Sequence, residues 1–352
     1  IGVLTQYKSH SLIRHLQMGW SFLRGEFGEV IELLPADQNS DRCHWYAGTA
    51  DAVYQNIDFI QAHQPEHVLV LAGDHIYKMD YGAMLAHHAA CGAQITVGCI
   101  EVPIEEAHEF GVLQTDSDTR IRSFVEKSPN PTPMPDKPDK ALASMGIYVF
   151  NAKFLLDWLL RDAATATSSH DFGKDILPAA IENARVFAYP FSDIDDPTRR
   201  GYWRDVGTVE AYWRANIELT EVVPELNLYD DRWPIWTSQE HVPPAKFVFD
   251  NECQRGHAID SLVSGGCIVS GAEIRRSVLF VNARADMGSF IDGSLLLPGV
   301  RVGTDCRIRN AIIDAGCEIP DGSRIGLDRE RDAERYHVTA NGITLVTRNM
   351  LL

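Results

Sequence analysis

Positive charge is scarce in this chain of 352 residues: 32 lysines and arginines stand against 49 aspartates and glutamates, a formal net charge of −17. That deficit excludes a nucleic-acid or anionic-membrane binder, because both require a basic face. It leaves room for a nucleotide substrate, whose phosphates a few local cations and a metal ion can hold. Cysteine motifs are lacking too. The 7 cysteines, Cys43, Cys91, Cys99, Cys253, Cys267, Cys306 and Cys317, form no C-x-x-C pair and no spacing with histidine suited to zinc. An odd, scattered set reads as the reduced thiols of a cytoplasmic protein, several filling apolar positions. No run is long enough to span a bilayer, and no signal peptide opens the chain. Nor does a methionine open it: Ile1 lies inside a strand-like Ile-Gly-Val-Leu, which reads as an interior start.

What is present is a strict rhythm. Ile268, Ile274 and Leu279 recur seventeen residues later as Ala285, Ile291 and Leu296, then as Val302, Ile308 and Ile313, with Ile319 and Ile325 opening a fourth round. Steps of six, five and six match neither the period of two of a strand nor the 3.6 of a helix. They fit a coil with three short faces per turn, each sending one aliphatic side chain inward, stacked as a parallel β-helix. Such a coil buries its own core and carries little chemistry, so catalysis belongs upstream.

The first two hundred residues alternate helix and strand signals, as in an α/β domain with a mostly parallel sheet. Leu12, Leu16, Trp20 and Leu23 repeat at helical spacing, and so do Val53, Ile57 and Ile60 after Gly48-Thr49, where the threonine can cap the helix. The run from His67 to Ala72 suits a buried central strand. Further strands are expected over 95–100, 121–125 and 146–150, and Phe154, Leu155, Trp158 and Leu159 form a helix stripe. Five prolines between Ser128 and Pro138 make a loop. A helix from Thr208 to Leu219 closes this part, and Val222 to Ala245, rich in proline and tryptophan, links it to the coil.

Chemistry is expected at strand ends. Asp74 follows the strand after Gly73, where open α/β sheets bind ligands, and a carboxylate there suits either a hard cation or the cap of a turn. Asp205, before Gly207 and a helix start, has the same two readings, and two such aspartates on one sheet favour a shared divalent ion. Glu126-Lys127 ends another strand: the lysine can neutralise a phosphate and the glutamate can accept from sugar hydroxyls, or the two form a surface ion pair. Gly48-Thr49 opens a helix, whose free amides favour a polar or anionic ligand.

Ordered motifs then bring a family into view. Trp45-Tyr-Ala-Gly-Thr-Ala-Asp-Ala-Val53, Leu71-Ala-Gly-Asp-His-Ile-Tyr77, Phe124-Val-Glu-Lys127, Ala143-Ser-Met-Gly-Ile-Tyr-Val-Phe150, Ser169-His-Asp-Phe-Gly-Lys174 and Tyr202-Trp-Arg-Asp-Val-Gly-Thr208 closely resemble the bacterial glucose-1-phosphate adenylyltransferases. Pro243 to Phe247, Leu262 to Cys267 and Leu345 to Arg348 extend the likeness across nearly the whole chain. The resemblance implies a Rossmann-like nucleotidyltransferase domain over 1–220, a linker over 221–250 and a left-handed parallel β-helix over 251–352. It implies conversion of ATP and glucose 1-phosphate to ADP-glucose and diphosphate with Mg2+, for glycogen synthesis. Asp74 and Asp205 match the family's metal pair and count with Lys127 as catalytic. Tyr46, Gly111, Glu126, Lys127 and Ser144 match the glucose 1-phosphate pocket, with Gly48, Thr49 and Asp74 on the nucleotide side. The family's glycine-rich loop after its first strand has no counterpart here, so the sequence reads as an N-terminally truncated piece, inactive without its cradle for ATP.

The resemblance also implies a homotetramer with a sugar-phosphate activator and AMP as inhibitor. Arg348 matches an effector arginine, whereas Ala62, Gly299 and Ala315 stand where charged effector contacts are common. Three alternatives remain at this stage: a non-catalytic regulatory subunit, a pyrophosphorylase for another sugar or base, and a hexapeptide-coil acyltransferase. Retained Asp74, Lys127 and Asp205 weigh against the first. The stretches Tyr46–Val53 and Ser169–Lys174 favour ADP-glucose over the second. The absence of histidine between Leu262 and Ile325 weighs against the third.

Overall fold

A computed structural model describes residues 1–36, 45–193, 196, 199–249 and 255–350. Along the chain run β1 (Gly2–Thr5), α1 (His10–Gly19), β2 (Glu32–Pro35), α2 (Thr49–Tyr54), α3 (Ile57–His63), β3 (His67–Val70), β4 (His75–Tyr77) and α4 (Tyr81–Ala90). Then follow β5 (Ile95–Pro103), β6 (Gly111–Thr115), β7 (Ile121–Glu126), β8 (Lys140–Asn151), α5 (Ala152–Ala163), α6 (Leu177–Asn183), β9 (Val186–Pro190), β10 (Trp203–Asp205) and α7 (Val209–Glu218). Contacts divide the chain into two units, 1–73 with 78–202, and 74–77 with 203–352.

In the first unit the strands lie in the order β7-β6-β8-β5-β9, with β3 also beside β8. The α/β class stands, but the pairing departs from the expected mostly parallel sheet: β9 runs parallel to β5, while β5, β6 and β3 all run antiparallel to β8, and β7 to β6. For β6 and β7, connection length gives the reason. Five residues join β6 to β7, too few for the crossover of a dozen or more that parallel neighbours require. The run after His67 is half-buried along β3, not fully buried.

Buried side chains of this sheet, among them Ile95, Val97 and Phe150, meet Leu155 and Leu159 of α5 and Phe172, Ile176 and Leu177 beyond it. Each such burial contributes about 1.5–3 kcal/mol. Asn151 caps α5, its Oδ1 accepting from Phe154 N at 3.2 Å. The expected single helix through Val53 and Ile60 is two, α2 and α3, and its cap residue is Gly48, not Thr49.

The second unit contains the coil. Three parallel stacks carry the inward rows Val269–Ala285–Val302–Ile319, Ala258–Ile274–Ile291–Ile308–Ile325 and Val263–Leu279–Leu296–Ile313–Val346. The first turn corrects the sequence reading by one residue. Val269 opposes Ala285 and is buried, whereas Ile268 opposes the exposed Arg284. The corner after Val269 is one residue tighter, with Gly271 at φ +68. The tail strand Thr344–Val346 closes the last face against Ala311–Ile313.

Helix α7, capped by Thr208 Oγ1 accepting from Ala211 N at 3.1 Å, lies on this coil. Its Val209, Tyr212, Trp213 and Ile217 pack against Val278, Leu295 and Ile312, and Trp213 Nε1 donates to Gly293 O at 2.8 Å. Buried Asp292 receives both Nη2 contacts of Arg276, at 2.7 and 2.8 Å, so its charge is matched. Residues 222–245 carry neither helix nor strand, and among the described residues no helix is long and apolar enough to cross a membrane.

Candidate active site

In the first unit β7 delivers Glu126 to the end of its strand, opposite Gly111 on β6. The absence of a side chain at Gly111 and at Gly173 makes room for its carboxylate: a Cβ would stand 2.5 Å from Glu126 Oε2 at Gly111, and 2.8 Å from it at Gly173. Burial raises the Glu126 carboxyl above the usual range, Asp171 adds to that, and Lys127 and Lys174 oppose it. Two acids and two lysines therefore share one neighbourhood. Lys127 itself is exposed at φ +48, its amide donating to Phe110 O at 3.1 Å.

Ser144 and Tyr148, both buried on β8, belong to the same place. Burial drives the Tyr148 phenol upward; a hydrogen bond with Ser144 opposes this, and the charges of Glu126 and Asp171 add to it. Asp171 is fixed from three sides. Its Oδ1 accepts from Gly173 N and Lys174 N at 2.9 and 3.0 Å, and its Oδ2 from Thr49 Oγ1 at 3.1 Å. Thr49 Oγ1 in turn accepts from Phe172 N at 3.0 Å.

Gly48 and Thr49 are thus joined to the 169–172 segment. The amides expected to be open at the start of α2 are already engaged: Ala50 N donates to His170 O at 2.8 Å and Ala47 N to Asp51 Oδ2 at 2.8 Å. Tyr46 is anchored by its hydroxyl, which donates to Leu34 O at 3.3 Å and accepts from Asn56 Nδ2 at 3.1 Å. Asp171, Lys174 and Tyr148 were not singled out in the sequence, although all three lie inside the quoted motifs. An acid and a lysine three residues apart beside a glycine was the available signal.

In the second unit β4 and β10 form an antiparallel ribbon that sets Asp205 across from His75. Val206 N donates to Asp74 O at 3.0 Å and Gly207 N to Asp205 Oδ1 at 2.7 Å, which folds the end of β10 back over Asp74. One ligand atom from each of Asp74, His75 and Asp205 lies within 4.8 Å of the others. Two carboxylates are the donors that a hard divalent cation takes, so this set fits such an ion. The structure brings together Asp74 and Asp205, which are separated by more than a hundred residues. His75 joins them, and the sequence reading had assigned it nothing.

Arg348 lies at a coil corner, its Nε donating to Ala315 O at 2.9 Å. Gly299 is at the same corner, where a Cβ would approach Gly316 Cα at 3.9 Å. Ala315 and Gly299, two of the three uncharged positions noted in the sequence, thus lie at the corner that holds Arg348.

The nucleotidyl transferase family profile matches residues 1–222, and the profile of the GlmU-like C-terminal hexapeptide, a left-handed β-helix, matches 243–346. A glucose-1-phosphate adenylyltransferase of Paramagnetospirillum magneticum is 58% identical over 354 residues, covering 100% of this chain and 82% of the relative. Those of Dechloromonas aromatica and Methylobacillus flagellatus are 57% and 58% identical, covering all of this chain and 80% and 82% of their own lengths. On that identity and coverage, the chain belongs to the glucose-1-phosphate adenylyltransferase family of nucleotidyltransferases.

Proposed function

We propose that this chain forms ADP-glucose from ATP and glucose 1-phosphate, the sugar donor for glycogen synthesis. A phosphate oxygen of the sugar attacks the α-phosphorus of ATP, the bond from that phosphorus to the bridging oxygen breaks, and diphosphate leaves. Little covalent chemistry falls to the protein, so positioning and charge neutralisation carry the rate.

Lys127 neutralises the sugar phosphate as a point charge. Glu126, recessed between Gly111 and Gly173, accepts hydrogen bonds from sugar hydroxyls, with Ser144 and Tyr46 completing the pocket. Gly48 and Thr49 serve the nucleotide side with Asp74, Thr49 being held in place by Asp171. Asp74 and Asp205 hold the divalent cation, Mg2+ in this reading, which when bound spreads the charge of the phosphates. The observation that carries the proposal is the convergence of Asp74 and Asp205 on one ligand-sized space in a family of this name.

The finer readings follow the family. The enzyme works in the cytoplasm, as the five free cysteines among the described residues support, and assembles as a homotetramer. A sugar-phosphate activator and AMP act through Arg348, at a corner where Ala315 and Gly299 offer no second charge. Asp74→Asn tests the central claim. In the protein as its gene encodes it, turnover falls by about 100-fold or more with unchanged circular dichroism. Near-wild-type turnover removes Asp74 from the mechanism.

A further inference from the structure

The Asp74–Asp205 pair has a third neighbour that no family motif assigns. His75 is set on the same ribbon by register, directly across from Asp205, and opposed residues of an antiparallel pair project from one face. Its ring stands edge-on to Trp203 at 5.1 Å between centroids, and its side chain is only 11% exposed. The ring is therefore held in one orientation before any ion arrives. Its Nδ1 is sealed off without a hydrogen-bond partner, which leaves Nε2 as the ring atom facing the carboxylates.

Distance separates coordination from hydrogen bonding. His75 Nε2 lies 3.5 Å from Asp74 Oδ1, longer than the N–H···O range of about 2.7–3.2 Å. Two donors each about 2.1 Å from one ion, in neighbouring positions, lie roughly 3.0–3.4 Å apart. The spacing is thus close to that of two ligands of one ion.

We propose that His75 Nε2 is a nitrogen ligand to the cation held by Asp74 and Asp205, making this a mixed nitrogen–oxygen site that binds Mn2+ more tightly than Mg2+. Mg2+ favours oxygen donors throughout, whereas imidazole suits the transition ions. The proposal rests on the reading of Asp74 and Asp205 as the metal pair.

The test uses the full protein titrated with Mn2+ alone, with binding followed by loss of the free-ion electron paramagnetic resonance signal. Pulsed spectra of the bound ion are expected to show 14N coupling, and Mg2+ is expected to displace Mn2+ only at about tenfold or greater excess. His75→Asn should abolish the coupling and weaken Mn2+ binding by about 10–100-fold, no less than the loss of an outer-sphere partner costs. His75→Gln serves as a second variant, and both are checked for unchanged thermal unfolding. Bound Mn2+ without 14N coupling in the wild type, or coupling that survives both variants, overturns the role of His75 and leaves the two carboxylates standing. Mn2+ binding that is absent, or unaffected by Asp74→Asn, overturns both readings.

Discussion

Gly111 faces Glu126 across the β6–β7 pair so closely that a Cβ on the glycine would stand 2.5 Å from the glutamate's Oε2 and 3.1 Å from Phe124 Cε1. Glycine here provides space, not conformational freedom. Gly111→Ala therefore displaces the carboxylate from its recess. The Michaelis constant for glucose 1-phosphate should rise at least tenfold, with about 1–3 kcal/mol of overpacking cost. Steady-state kinetics and urea unfolding measure the two effects, and an unchanged Michaelis constant would separate Glu126 from the sugar.

Lys127→Ala removes a charge that lies near Glu126. Loss of a charge-assisted contact predicts a rise of roughly 10–100-fold in the Michaelis constant for glucose 1-phosphate, with much less change for ATP. Equal effects on both substrates would contradict its assignment to the sugar phosphate.

His88 gives the protein an acid-sensitive element in its first unit. Burial lowers its pKa to about 4, aided by the neighbouring charges of His67 and His87, while its Nδ1 meets Thr96 Oγ1 at 2.8 Å. The folded value lies below the ordinary 6.5 of the unfolded chain, so the unfolded state takes up the proton first. Stability is whole above pH 6.5 and falls as pH drops towards 4, by a few kcal/mol at most. Urea midpoints between pH 7.5 and 4.5 should show this slope, and His88→Gln should flatten it.

The coil offers a test of its core independent of catalysis. Ile308 is fully buried between Ile291 and Ile325 in one inward row. Ile308→Ala should cost about 2–5 kcal/mol, read from denaturant unfolding. A loss below 1 kcal/mol would mean that the row is less tightly packed than its register indicates.

Several of these features were legible in the sequence. The inward rows of the coil could be read because each contact in a stacked turn repeats at a fixed interval, so local spacing encodes the packing. Ile268 was the exception: a corner tightened by one residue leaves the aliphatic pattern intact and moves the buried position to Val269. The end of β7 could be found from a strand signal followed by charged residues. The pairing directions of the first sheet were missed, although the five-residue connection between β6 and β7 contained the direction of that one pair.

The sequence by itself determined the repeating coil, the alternation of helix and strand before it, and the candidate acids, because each is written in neighbouring residues. Only the tertiary structure decided that Asp74 and Asp205 converge, that His75 stands with them, and that Asp171 comes to lie beside Glu126. Those relations arise from pairing between segments far apart in the chain, where register and burial choose the partners and no local pattern records the choice.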